Sequence, residues 1–167
     1  MLTRMHMSDD PSVTIETTIT AQPDRIYELV SDLGVMSSFG TEFQSGEWSS
    51  GRPAEKGSTF LGRQKMGDDE WETTSTVVTA NKGRAFAWRV GDPADDAFTA
   101  EWTLNLRSVP NGTEVRYTFQ HGPGPSGLRA AIENKPEDEE AMIDFRLTML
   151  QENMVKTLEG IRRRTAR

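Results

Sequence analysis

The sequence contains no cysteine and only two histidines, His6 and His121. Without thiols there is no disulfide framework, no thiolate metal ligand and no cysteine nucleophile. Two imidazoles cannot build a multi-histidine centre, so neither a metal nor a cofactor is expected. Positive charge is also scarce: 19 Lys and Arg stand against 26 Asp and Glu, a net charge of −7. Duplex binding depends largely on neutralising phosphates with Lys and Arg, so nucleic acid is not an expected partner. Long apolar runs are missing too. Nothing reaches the roughly 18 apolar residues of a membrane helix, and Met1 to Pro11 lacks the apolar centre of a signal peptide. These absences imply a cytoplasmic protein without stable membrane insertion; a monomer or homodimer is expected.

What the chain does contain is periodicity. Residues 1–11 read as a flexible leader, 12–164 as one domain and 165–167 as a tail. From Ser12, Val13, Ile15, Thr17 and Ile19 alternate with polar residues, the pattern of a half-buried strand. At Pro23 the period becomes helical through Ile26, Leu29, Val30 and Leu33, with Pro23 suited to a first turn and Gly34 to the helix end. Six further strands are predicted over 43–49, 58–66, 71–80, 84–90, 98–107 and 113–121. Gly, Asn or Pro punctuates each break between them, as at Asn81-Lys82-Gly83 and Pro110-Asn111-Gly112. With the first strand they suggest a seven-stranded antiparallel meander. A short helix follows over 126–133, and a long one from Pro136 to about Arg164. Glu137 to Glu140 crowd the start of the long helix and Arg162 to Arg164 its end, matching the helix dipole. Its stripe of Ile143, Leu147, Leu150, Met154, Leu158 and Ile161 is widened by Met142, Phe145 and Met149, so it must lie in something concave. One antiparallel sheet with helices at its ends is an α+β domain.

Several pieces, taken in order, resemble the START-like (SRPBCC) helix-grip superfamily, and within it the polyketide cyclase/dehydrase and lipid-transport group. They are Ala21 to Tyr27 with Leu33; Met36-Ser37 with Glu42; Gly46-Glu47-Trp48; Gly57 with Phe60-Leu61-Gly62; Trp71 with Thr73 and Ser75; Phe86-Ala87-Trp88; and Asn153-Met154 with Thr157 to Ile161. At Phe39, Thr41 and Gln64 the chain departs from residues common in the group. The resemblance implies a curved sheet wrapped around the long helix, with two short helices after the first strand. It also implies a cavity between sheet and helix, entered near the short helices. Candidate ligand-binding residues are then Met36 and Phe39 at the entrance, and Phe60, Gln64, Trp71, Thr73, Ser75, Trp88, Phe98, Trp102, Tyr117, Phe119 and His121 on the inward strand faces. Met142, Phe145 and Met149 join them from the long helix.

Two functions fit those residues. The first is binding of a small hydrophobic or amphipathic molecule, such as a polyketide, lipid or aromatic metabolite, its polar end oriented by a few placed polar groups. The second is a cyclase or dehydratase reaction, which needs a base near a carbonyl and a donor for the enolate. Glu42 or His121 could supply the base, and Tyr117 or His121 the donor. Glu42 and Asp144 are the carboxylates expected to face the entrance or cavity. A third reading is a domain whose aromatics fill the interior and which acts through protein contacts. Gly122-Pro123-Gly124-Pro125-Ser126-Gly127 spells a dinucleotide loop, but its prolines remove two of the N–H donors that pyrophosphate would need, and no parallel βαβ unit follows. A stiff connection at the cavity mouth is the simpler reading.

Overall fold

A computed structural model describes residues 5–166. Its elements are β1 (Ser12–Ile19), α1 (Pro23–Val30), α2 (Leu33–Met36), β2 (Phe43–Ser50), β3 (Thr59–Met66), β4 (Asp69–Asn81), β5 (Ala85–Val90), β6 (Ala100–Val109), β7 (Gly112–His121), α3 (Gly127–Asn134) and α4 (Glu139–Thr165). The seven strands form one antiparallel sheet in the order β1-β7-β6-β5-β4-β3-β2. β2 to β7 are a meander as expected, but β1 does not extend it from β2. Instead β1 pairs with β7 along its whole length, from Ser12↔Gln120 to Ile19↔Thr113, and α1 and α2 span the distance from one edge of the sheet to the other.

Alternation decides which side chains face inward. In β7, Thr113, Val115, Tyr117, Phe119 and His121 are buried, while Arg116 and Gln120 between them are exposed. The turn before β7 explains Gly112: its φ is 136°, and a Cβ there would stand 2.2 Å from the Ile19 carbonyl oxygen. On α4, Ile143, Leu150, Met154, Leu158 and Ile161 are at most 2% exposed. Burying each such side chain contributes about 1.5–3 kcal/mol. Leu150, Met154, Leu158 and Ile161, with Ile19, Ile26, Phe86, Leu104 and Val115, make the main core between helix and sheet.

Strand ends shift by one or two residues, and the helix boundaries differ in kind. α1 ends at Val30, where the Ser31 hydroxyl donates to the Tyr27 carbonyl at 2.7 Å. Asp32 then caps α2 by accepting from the Val35 N–H at 3.1 Å, so Gly34 lies inside a second helix and does not close the first. Pro136 opens a single 3-10 turn, Pro136–Asp138, and α4 begins at Glu139.

The described part of the N-terminal segment makes contacts with the rest of the chain. Residues Met7–Asp9 form a 3-10 turn, and Met7, 4% exposed, packs with Ile132 and Ile143 in a second, smaller cluster. The His6 ring nitrogen Nδ1 lies 2.6 Å from the Glu139 carboxylate, and the Met7 N–H donates to the same carboxylate at 3.3 Å. Residues 1–4 of the leader and Arg167 of the tail lie outside the described residues.

Candidate functional site

The curved sheet and α4 meet at a wedge, leaving a pocket of about 1240 Å³ between them. Its floor is built by strand register. Trp88 of β5 pairs with Trp102 of β6, and Trp102 with Phe119 of β7, so one aromatic row crosses three strands. The two indoles stack at 6.0 Å with 14° between planes, and Trp102 meets Phe119 edge-on at 4.7 Å. Phe60 extends the row toward β2 by meeting both Trp88 and Trp48, and His121 ends it, perpendicular to Phe119 at 4.8 Å. Each such pair adds about 0.5–1.5 kcal/mol beyond its burial, so the floor is a rigid surface.

Polar side chains stand among the apolar ones. Gln64 Nε2 donates to Thr73 Oγ1 at 3.3 Å, with buried Ser75 two residues further along β4. On the helical wall, the Thr157 hydroxyl donates to the Asn153 carbonyl at 3.0 Å. Met36, Met142 and Phe145 stand on the walls as well. Phe145 is 66% exposed, which puts it at the mouth.

Three expected lining residues are elsewhere. Phe39 packs beneath α4 at Gly160, where a Cβ would approach its ring to 2.2 Å. Phe98 precedes β6 and lies under the Arg89 guanidinium, 4.4 Å from the ring centroid. Met149 is half-buried beside the wall without belonging to it. Asp144 is exposed and does not face the pocket.

The three expected catalytic groups, Glu42, Tyr117 and His121, all line the pocket. Tyr117 and His121 are four residues apart on β7, about 13 Å at strand rise, too far to share a proton. Glu42 is committed to another partner: both of its oxygens accept from Arg146 of α4, one at 2.9 Å. The same guanidinium donates to Met66 Sδ at 3.7 Å. Sequence reasoning missed Arg146, although the signal was there. It is a charged residue four positions from both Met142 and Leu150, inside an apolar stripe.

His121 is the unusual side chain of the site. It is 4% exposed, and neither ring nitrogen has a hydrogen-bond partner. Leaving buried polar groups unpaired costs about 1–3 kcal/mol each. Burial lowers its pKa to about 4, assisted by the positive charges of Arg146 and Arg129 and opposed by Asp10. The ring is therefore neutral at pH 7. Burial likewise raises the pKa of Tyr117, so its hydroxyl stays protonated.

The connection from Gly122 to Gly127 is pinned at the mouth. Gly122 and Gly124 donate from their backbones to the carbonyls of Thr99 and Phe98 at 2.8 and 2.9 Å, and the Thr99 hydroxyl donates to the Pro125 carbonyl at 2.8 Å. A Cβ at Gly124 would stand 2.2 Å from the Ala97 carbonyl oxygen. The glycines thus serve close backbone approach. Among the described residues, no helix is long and apolar enough to cross a membrane.

A seven-stranded sheet gripping a long C-terminal helix over an apolar pocket defines the START-like helix-grip class. The chain belongs to the polyketide cyclase/dehydrase and lipid transport family, whose model matches residues 10–155. Comparison with curated proteins gave no match. Solved structures share the fold. A Thermus thermophilus protein has a TM-score of 0.68 at 18% identity, covering 93% of this chain and 97% of its own. Major latex-like protein 151 of Panax ginseng has 0.66 at 10%, covering 94% and 98%. A Polyketide_cyc-like protein of Corynebacterium glutamicum has 0.65 at 23%, covering 91% and 89%. At such identities the likeness is of fold.

Proposed function

We propose that the protein binds a small hydrophobic or amphipathic molecule, of polyketide, lipid or aromatic type, between the sheet and α4. The observation that carries this reading is the pocket of about 1240 Å³, floored by Trp88, Trp102 and Phe119 and walled by methionines of the helices. Pockets of this kind hold an apolar body by contact area and orient it with a few polar groups. Methionines suit a site that must fit irregular shapes. The cavity-poor alternative loses support because the large aromatics line the pocket and leave its volume open.

The cyclase or dehydratase alternative has weaker support. Both Glu42 oxygens are occupied by the Arg146 guanidinium, and His121 and Tyr117 stand four residues apart on β7. Neutral His121 is the one candidate base the geometry favours.

Replacement of Trp88 by Ala removes the centre of the floor and should weaken binding of a hydrophobic ligand about 10- to 100-fold. Phe145→Ala, at the mouth, should weaken it less. Fluorescence titration with an apolar dye and native mass spectrometry of the purified protein test this. If the wild type carries no co-purified molecule and no compound of a hydrophobic library raises its melting temperature, the reading fails.

A further inference from the structure

Among the described residues, four buried side-chain nitrogens lack a hydrogen-bond partner: Nδ1 and Nε2 of His121, which lines the pocket, Nε of Arg129 on α3 beside it, and Nε of Arg162. Arg129 is tied to the His121 end of the pocket, since its Nη2 donates at 2.7 Å to the carbonyl of Gly122, the residue after His121. The fourth, Arg162 Nε, has the Glu159 carboxylate 3.5 Å away. The orphaned polarity is therefore concentrated where the aromatic row ends.

We infer that this end of the pocket receives a weakly acidic hydroxyl, a phenol or enol on an apolar body, with His121 accepting its hydrogen bond. The inference rests on the pocket being a ligand site and specifies the ligand's polar end. A neutral imidazole has one N–H and one lone pair, and in either tautomer both are unpaired here. A hydroxyl can donate to the lone pair and accept through its oxygen. The charges acting on the ring are Arg146 from α4, Arg129 from α3 and Asp10 from the segment before β1. Arg146 is paired with Glu42, so the charges around the ring balance, and a neutral hydroxyl enters without the desolvation cost that an uncompensated ammonium or carboxylate would carry. A carboxylate arrives already deprotonated and leaves the imidazole lone pair without a donor. Perpendicular to the His121 ring, Phe119 offers a flat surface for the ring that bears the hydroxyl.

The test is titration of the full chain with naphthalene, naphthol, naphthoate and naphthylmethylamine. Naphthol should bind about tenfold tighter than naphthalene, and tighter than the amine or naphthoate. His121→Phe should erase the preference for naphthol while naphthalene still binds. Should that variant not fold, His121→Gln and nitrogen NMR of the wild type serve instead. The chain's only other imidazole is His6, so the His121 ring signals can be assigned with a His6→Asn variant, and the unprotonated ring nitrogen should shift on adding naphthol but not naphthalene. Equal affinity for naphthol and naphthalene, a preference for naphthoate, an unmoved nitrogen signal, or a hydroxyl preference surviving His121→Phe would each overturn the inference while leaving the pocket's ligand role intact. Failure of every probe to bind would remove that role, and the inference with it.

Discussion

At the scale of single residues, His121 couples the site to stability. Its pKa is about 4 in the folded chain against 6.5 for a free imidazole. Between those values the unfolded chain binds a proton that the folded chain refuses, so this group's contribution falls as pH drops from 6.5 and levels off below about 4. The full difference amounts to at most about 3 kcal/mol, since part of the shift is relieved by solvent entering an open pocket. Urea unfolding of wild type and His121→Phe at pH 7, 6 and 5 isolates this slope from that of the carboxylates. The variant should gain on wild type as the pH falls; parallel curves would show that the ring protonates freely in the folded state. The sequence placed His121 on the inward face of a strand end, and alternation alone sufficed for that. Its lack of a partner could not be read there, because it depends on what α3, α4 and the segment before β1 fail to supply.

Between elements, the tie that matters most for the site is the one from α4 to the residue before β2. Glu42 and Arg146 lie 104 positions apart and form a two-pronged ion pair at the mouth, with 13% and 22% of their side chains exposed. Replacing Arg146 by Met keeps the length and apolar contacts of the stem but strands a mostly buried carboxylate. The expected loss is about 1–3 kcal/mol, below that of a fully buried pair because water reaches both groups. Glu42→Gln in the same background should restore part of it, and a double-mutant cycle by urea unfolding measures the coupling. Additive effects would mean that the pair holds nothing. Local periodicity made the strands legible, and it made α4 legible through its stripe and charged ends. It could not reveal this pair, whose partners share no local pattern, nor the break at Ser31–Asp32, because the apolar spacing Ile26, Leu29, Val30, Leu33 continues across two helices as if they were one.

Across the whole molecule the interior divides in two, and the division bears on how the pocket opens. The main core lies between the sheet and the second half of α4, while Met7, Ile132 and Ile143 form a satellite between the N-terminal segment, α3 and the first half of α4. Leu128 and Ala131 of α3 line the pocket, but the helix's buried anchor, Ile132, belongs to the satellite. α3 can therefore detach without opening the sheet, in the manner of a separate low-stability unit. Met7→Ala removes the side chain that closes the satellite and should cost this unit about 2 kcal/mol. Amide exchange in α3 should then quicken about 30-fold, while β5 to β7 keep the protection of the wild type. Because α3 borders the mouth, ligand association and release should both accelerate, with a smaller change in affinity. Uniform loss of protection through sheet and helix would show instead that satellite and core unfold together, and that the mouth has no independent motion.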